Sequence, residues 1–189
     1  MICSKEDLKE FLEADKNALG RRNKRPAFND IIWKYEIFLR KCEYYQNISS
    51  KNPIYKILQG VYRYKRFKAG LLCGFSIPLN TCGKGLCLAH IGPIVISNYA
   101  TVGDNCRSHI DVNLGADARN GKVAPHIGNN VYIGPGAKIF GDIYIADNCA
   151  IGANAVVNKS FENENCSIAG VPARVVNIKG VSNILYRKF

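Results

Sequence analysis

The sequence contains three histidines, His90, His109 and His126, all in its middle third. An imidazole titrates near neutral pH, so it can take a proton from a hydroxyl or bind a metal ion, and a concentration of this kind points to one of those two chemistries. The separations are nineteen and then seventeen residues. The first is close to one turn of a coil of about eighteen residues, which would place His90 and His109 on successive rungs, near each other across one edge. His126 borders a loop, and for it a hydrogen-bonded structural role is the simpler reading.

The coil itself is written in the stretch 127–161. Ile127, Ile133, Ile139, Ile145, Ile151 and Val157 recur every six residues, and Val131, Ala137, Ile143, Cys149, Ala155 and Phe161 follow four residues after each. Gly128, Gly134 and Gly152 stand directly after the aliphatic. A period of six fits neither a helix nor a lone strand; it requires a solenoid with three short faces per turn. The aliphatic points inward, the i+4 residue shares the narrow interior, and glycine serves tight corners. The fold class expected is an all-β solenoid with an α-helical N-terminal cap, a left-handed parallel β-helix with rungs about 4.8 Å apart.

Counted backward, the phase continues through Leu114, Val102 and Ile96, with Ser108 as a polar exception, and reaches His90 six residues before Ile96. A histidine at an inward position breaks the local rule, and such breaks are expected where function resides. Leu114 and Ile127 are thirteen apart, so residues 116–126, rich in loop formers, are expected to be an extruded loop.

Before the coil, Ser4 and Asp7 form a capping-box pattern ahead of Leu8, Phe11, Leu12, Ala18 and Leu19, and Gly20 ends the stripe. Asn29 or Asp30 caps a second helix that buries Ile31, Ile32, Tyr35, Phe38, Leu39 and Cys42 and ends near Tyr45. A third, after Pro53, places Ile54, Ile57, Leu58, Val61, Tyr62 and Phe67 on its buried side and stops at Gly70. These segments give residues 1–70 as a helical N-terminal part, 71–176 as the coil and 177–189 as a tail. Open strand edges at a coil's ends need covers; the helices are expected to cover one end and the tail after Pro172 the other.

Residues 1–70 hold 16 Lys and Arg against 8 Asp and Glu, most of the net charge of +11. Charge of this kind speaks to solubility and steering. The run VYRYKRFK has the interleaving used to bind nucleic acid, but at helical spacing it reads as a buried aromatic edge with snorkelling basic stems. No apolar run is long enough to span a bilayer and the start MICSKEDLKEFL lacks a signal peptide's apolar centre, so a cytoplasmic protein without nucleic-acid or membrane partners is expected. The eight cysteines include no CxxC, and Cys82, Cys106 and Cys149 take the small inward position as core filler.

The words GFSIPLNTCGKGLCLAH (74–90), the repeat 127–157 and AGVPARVV (169–176) resemble the hexapeptide-repeat acyltransferases of the serine acetyltransferase type. The resemblance implies acetyl-CoA as co-substrate, a homotrimer and His90 as general base on the acceptor hydroxyl, with serine as first acceptor. The family's two helper aspartates are missing, since GFSIPL and Ala89 stand in their places, and its second histidine falls on Ala124. Ala89, His90 and His109 together are closer to the short branch associated with capsule and exopolysaccharide synthesis, in which His109 orients His90, binds the acceptor or holds the acyl oxyanion. Asp15, in EADKNAL, matches the family's serine-contacting aspartate, although an exposed helical aspartate is the simpler reading. The cofactor groove implied by the resemblance involves Gly134, Pro135, Gly152 and Ala153, with Lys159 or Arg174 near the phosphates.

Other readings remain open on the sequence: a sugar or polysaccharide O-acetyltransferase, a non-catalytic trimeric scaffold, and a zinc-dependent lyase. The last is disfavoured because the histidine spacings differ from the two-close-plus-one-distant pattern of the trimeric carbonic anhydrases of this architecture. No metal is expected.

Overall fold

The computed structural model describes residues 1–48 and 53–184. Three helices come first: α1 (Lys5–Ala18), α2 (Ile31–Asn47) and α3 (Pro53–Cys73). Ser4 and Asp7 close the expected capping box, the Ser4 hydroxyl accepting from the Asp7 N–H and the Asp7 carboxylate from the Ser4 N–H. Asp30, rather than Asn29, caps α2 by accepting from the Trp33 N–H. That helix runs two residues past Tyr45.

The third helix departs from expectation twice. It passes through Gly70, ending three residues later at Cys73, with Gly74 in the left-handed region at φ 78°. Gly70 stays helical and is buried; a β-carbon there would lie 3.0 Å from the Phe75 carbonyl oxygen and 3.3 Å from the Tyr35 ring. It is a packing glycine, and Gly74 is the stop. Ile54, Ile57, Val61 and Phe67, expected to be buried, are exposed, as are Tyr64, Leu71 and Leu72. Periodicity identifies an apolar face, not what covers it. The aromatic reading of VYRYKRFK holds for Tyr62, which stacks on Tyr45 at 5.6 Å, but not for Tyr64 or Phe67.

After α3 the chain visits three sheets in rotation. The first face contains β1 (Phe75–Ser76), β3 (Ile94–Ile96), β6 (Val112–Gly115), β9 (Lys138–Phe140) and β12 (Val156–Val157). The second contains β4 (Thr101–Val102), β7 (His126–Ile127) and β10 (Tyr144–Ile145). The third contains β2 (Cys87–Leu88), β5 (Arg107–Ser108), β8 (Tyr132–Ile133), β11 (Ala150–Ile151), β13 (Ser167–Gly170) and β14 (Ala173–Asn177). All neighbours pair in parallel except β13 and β14. Ile96, Leu114, Ile139 and Val157 stack inside the first face, and Val102, Ile127 and Ile145 inside the second. Residues 116–125 are extruded between β6 and β7, whereas His126, expected in the loop, belongs to β7.

The helices cover the start of the coil, and β14 covers the far end of its third face. At the start, edge N–H groups that have no further coil to bond find carboxylates on the helices: Leu86 donates to Asp15, Leu88 to Glu36 and Asn80 to Glu43. Arg40 supplies the opposite polarity, donating to the carbonyls of Cys82 and Gly83. Buried backbone groups must be paired, and these four side chains replace a missing rung. At the far end β14 folds back antiparallel on β13. The expectation for the tail extends beyond residue 184, outside the described residues.

Candidate active site

The register of the third face relocates His90. Leu88 pairs with Ser108, above which stack Ile133, Ile151 and Ile168, so Leu88 holds the inward position. Leu88 and Ile96 are eight residues apart where six is the rule. The two extra residues widen the corner from the third face into the first, and His90 stands there exposed, not inward. Cys82 is likewise shifted from its expected i+4 place: it bridges Val102 in the aliphatic position, though it remains buried.

His109 occupies the same corner one coil on, and the His90 and His109 ring centroids are 5.5 Å apart. The His109 N–H donates to the Ile133 carbonyl at 3.1 Å, fixing its backbone to the next coil. Its ring tilts on Tyr132 at 5.1 Å, and Arg107 Nε donates to its Nε2 at 3.4 Å. An accepting Nε2 leaves the ring proton on Nδ1. Partial burial, followed by the Arg107 charge and His90, lowers the His109 pKa from its ordinary value, so the neutral ring is favoured.

The corner continues as a column. Gly136 N–H donates to the Ile110 carbonyl and Asn154 N–H to the Pro135 carbonyl, both short bonds between successive coils. At Gly134 a β-carbon would lie 2.8 Å from the Ala153 nitrogen and the Ile151 oxygen, so the coils stack this closely only with glycine there. Gly134, Pro135, Gly152 and Ala153 thus stand in line with His109. Arg174 is exposed on β14 opposite Ala169, the residue that stacks over Gly152, so it ends the same column. The column does not include Lys159, whose Nζ lies 5.5 Å from the Phe161 ring on the way into the second face. His126 is on the second face, its Nδ1 2.8 Å from Thr101 Oγ1.

Asp15 is neither exposed nor open to a substrate. It is 2 % exposed, its Oδ2 accepts from Arg40 Nε at 2.7 Å and its Oδ1 from the Leu86 N–H at 2.9 Å. Its carboxylate holds α1 to the first coil, and it is read as an anchor. Burial raises its pKa against the opposing Arg40 charge.

Beside the histidine corner a groove of about 1270 Å³ runs along the outer surface of the third face, with Ala14 and Ala18 of α1 at one end and Val181 and Ile184 at the other. Sequence reasoning missed three of its features. Arg107 and Tyr132, paired in register, point outward one residue before the inward Ser108 and Ile133, a consequence of strand alternation. The third is an asparagine column, Asn105, Asn130, Asn148 and Asn165, each at φ 54–59° two residues before a third-face position. Asn105 Nδ2 donates to Asn130 Oδ1 and Asn130 Nδ2 to Asn148 Oδ1. Asparagine three residues after Val102, Ile127 and Ile145 was the signal. Among the described residues no three His, Cys, Asp or Glu side chains are grouped to hold a metal.

Residues 124–159 match the family described as bacterial transferase hexapeptide (six repeats). The serine acetyltransferase of Synechococcus elongatus is 39% identical over 113 residues, 59% of this chain and 46% of the relative. That of Staphylococcus epidermidis is 35% identical over 131 residues, 69% of this chain and 60% of the relative. A crystal structure of serine acetyltransferase in complex with coenzyme A from Brucella abortus strain S19 superposes with a TM-score of 0.68 at 27% identity, over 92% of this chain and 69% of that one. The chain spans about half the length of the first curated relatives it matches. In sequence and fold it is similar to serine acetyltransferases.

Proposed function

We propose that this chain is an acetyl-CoA-dependent O-acetyltransferase built on a left-handed parallel β-helix, with His90 as general base and L-serine as first acceptor. The observation that supports this most directly is the histidine pair, 5.5 Å between ring centroids, at the head of a column of close-packed corners. The similarity to serine acetyltransferases, one of them solved with coenzyme A, supports the cofactor.

In the proposed reaction the acceptor oxygen attacks the thioester carbonyl carbon while its proton passes to the His90 imidazole. The resulting tetrahedral oxyanion collapses by breaking the C–S bond, and the sulfur leaves with the proton returned by the imidazolium. Neutral His109, with its ring proton on Nδ1, is a donor available to the oxyanion or to His90. The corner backbone of Gly134, Pro135, Gly152 and Ala153 would flank the cofactor, and the exposed Arg174 would meet a phosphate; Lys159 is set apart from them.

The assembly proposed is a homotrimer. Seven large apolar side chains stand exposed on α3, from Ile54 to Leu72, and Ile91 and Ile110 are exposed beside the histidines; a monomer rarely leaves a patch of that extent to water. A cytoplasmic location is also proposed, and no helix among the described residues is long and apolar enough to cross a membrane. A sugar hydroxyl is the second reading. It is favoured by the fate of Asp15, whose buried ion pair removes the carboxylate expected to contact serine.

The test is thiol release from acetyl-CoA with serine, with sugars and without acceptor. His90→Ala is expected to lower turnover by at least roughly 100-fold, the usual loss for a general base. Activity within a few fold of the parent would remove His90 from the role.

A further inference from the structure

Arg107 is a cation without an anion. Its hydrogen bonds go to His109 Nε2 at 3.4 Å and Cys87 Sγ at 3.4 Å, neither of them a carboxylate. The Cys87 thiol is no hidden counter-charge, because burial pushes it up to about 12. The side chain lines the groove on the third face, and none of the groove's lining residues among those described is Asp or Glu; Arg107 is their only Lys or Arg. Arg40, Lys84, Arg119 and Lys138, by contrast, each pair with a carboxylate.

A half-buried guanidinium held between two neutral acceptors keeps donors for a planar, bidentate oxyanion such as a carboxylate. Position then selects which molecule brings it. Arg107 touches His109, and His109 faces His90, so an anion on Arg107 lies within a small molecule's length of the proposed base. Arg174, the candidate for a cofactor phosphate, is several coils away on β14.

We infer that Arg107 binds the carboxylate of the acceptor, and that the acceptor class is a hydroxyl compound bearing a carboxylate close to the reacting oxygen. The inference rests on the acetyltransfer reading and narrows its acceptor. It covers a hydroxy amino acid and an acidic sugar alike. A neutral sugar falls outside it.

The experiment uses matched pairs, L-serine against serinamide and glucuronate against glucose, with the parent protein and the Arg107→Ala and Arg107→Lys variants. Thermal melting of each variant first confirms folding. Arg107→Ala is expected to lower kcat/KM for the carboxylate member of the productive pair by roughly 10- to 100-fold, the range for a charged hydrogen bond. The KM for acetyl-CoA should stay within about twofold. Any loss shared by both members of the pair reports the missing hydrogen bond to His109. The loss should be clearly larger for the carboxylate member than for the neutral one, and Arg107→Lys should recover only part of that difference. A variant that instead raises the KM for acetyl-CoA would assign the anion to the cofactor and overturn the inference, as would equal activity on both members of each pair.

If no acceptor is turned over, the acetyltransfer reading is in question and binding alone decides. Protection of the parent against heat by serine or glucuronate, absent in Arg107→Ala, sustains the anion site. No protection of the parent by either carboxylate at millimolar concentration overturns it.

Discussion

Arg40→Met tests the idea that a buried charge network stands in for the missing first rung. Arg40 is 0% exposed and bonds to Asp15 at 2.7 and 3.3 Å, to Glu43 at 3.0 Å and to the Cys82 and Gly83 carbonyls at 2.9 and 2.5 Å. Its charge is opposed by burial and held up by Asp15 and Glu43, which raise its pKa. Methionine fills much of the same volume but leaves two buried carboxylates without their counter-charge, each still bonded to one backbone N–H, and removes the side-chain donor of two edge carbonyls. Breaking a buried pair by removing one partner costs about 3–5 kcal/mol, a large part of a total of about 5–15 kcal/mol.

The assay is equilibrium urea unfolding followed by circular dichroism, at equal protomer concentration for both proteins. The loss should also depend on pH in one direction. Without the guanidinium that opposes the effect of burial, Asp15 retains its proton in the folded state to higher pH than in the unfolded chain. The variant therefore regains stability as pH falls toward the ordinary carboxylate range and loses it as pH rises. A loss below about 1 kcal/mol at pH 7, or a deficit that does not shrink toward pH 4, would refute the claim that the network is a buried, charged cover for the coil.

Glu36 has one oxygen on the Leu88 N–H and the other, Oε2, buried without a partner, and burial followed by the Asp15 charge raises its pKa well above the ordinary value. Ionising it costs the folded state as pH rises, so Glu36→Gln should gain stability over the parent from pH 5 to pH 8 in melting curves. His109 shifts the other way: its lowered pKa means the folded state resists protonation, so native stability should fall as pH drops below about 6.5, and His109→Gln should flatten that slope. Gly134→Ala, forcing a β-carbon to 2.8 Å from coil backbone, should cost about 1–3 kcal/mol in denaturant titrations, whereas Gly121→Ala, in open space, should stay within about 0.5 kcal/mol.

Much of the coil was legible because one rule, an aliphatic every six residues, is repeated without interruption from Ile127 to Val157, and the parallel register follows that rule. The same rule misplaced His90. Counting back from Ile96 assumes a constant step, and the two residues that widen the corner are visible only when Leu88 is seen paired with Ser108. On α3 the apolar stripe was visible but its exposure was not, since the pattern is the same whether another segment or another molecule covers it. Asp15 and Arg40 are twenty-five residues apart, and nothing local in either helix announces the pair. The motif words singled out His90 and the corner glycines, while Arg107 and Tyr132 became visible only with the strands that turn them outward.

The asparagine column gives the groove a scale. Each Asn marks the same backbone turn, so the unit by which this surface can lengthen or shorten without disturbing its neighbours is one coil, about 4.8 Å of axial rise. The two facing histidines lie on the first two coils, against the helical cover, and Val181 and Ile184 close the groove beyond the last. The cleft is graduated like a ruler whose zero is pinned at the histidine corner. Inserting a coil between the adjacent rungs of Ile133 and Ile151 would lengthen the groove by that step while leaving the spacing of His90 and His109 as it is.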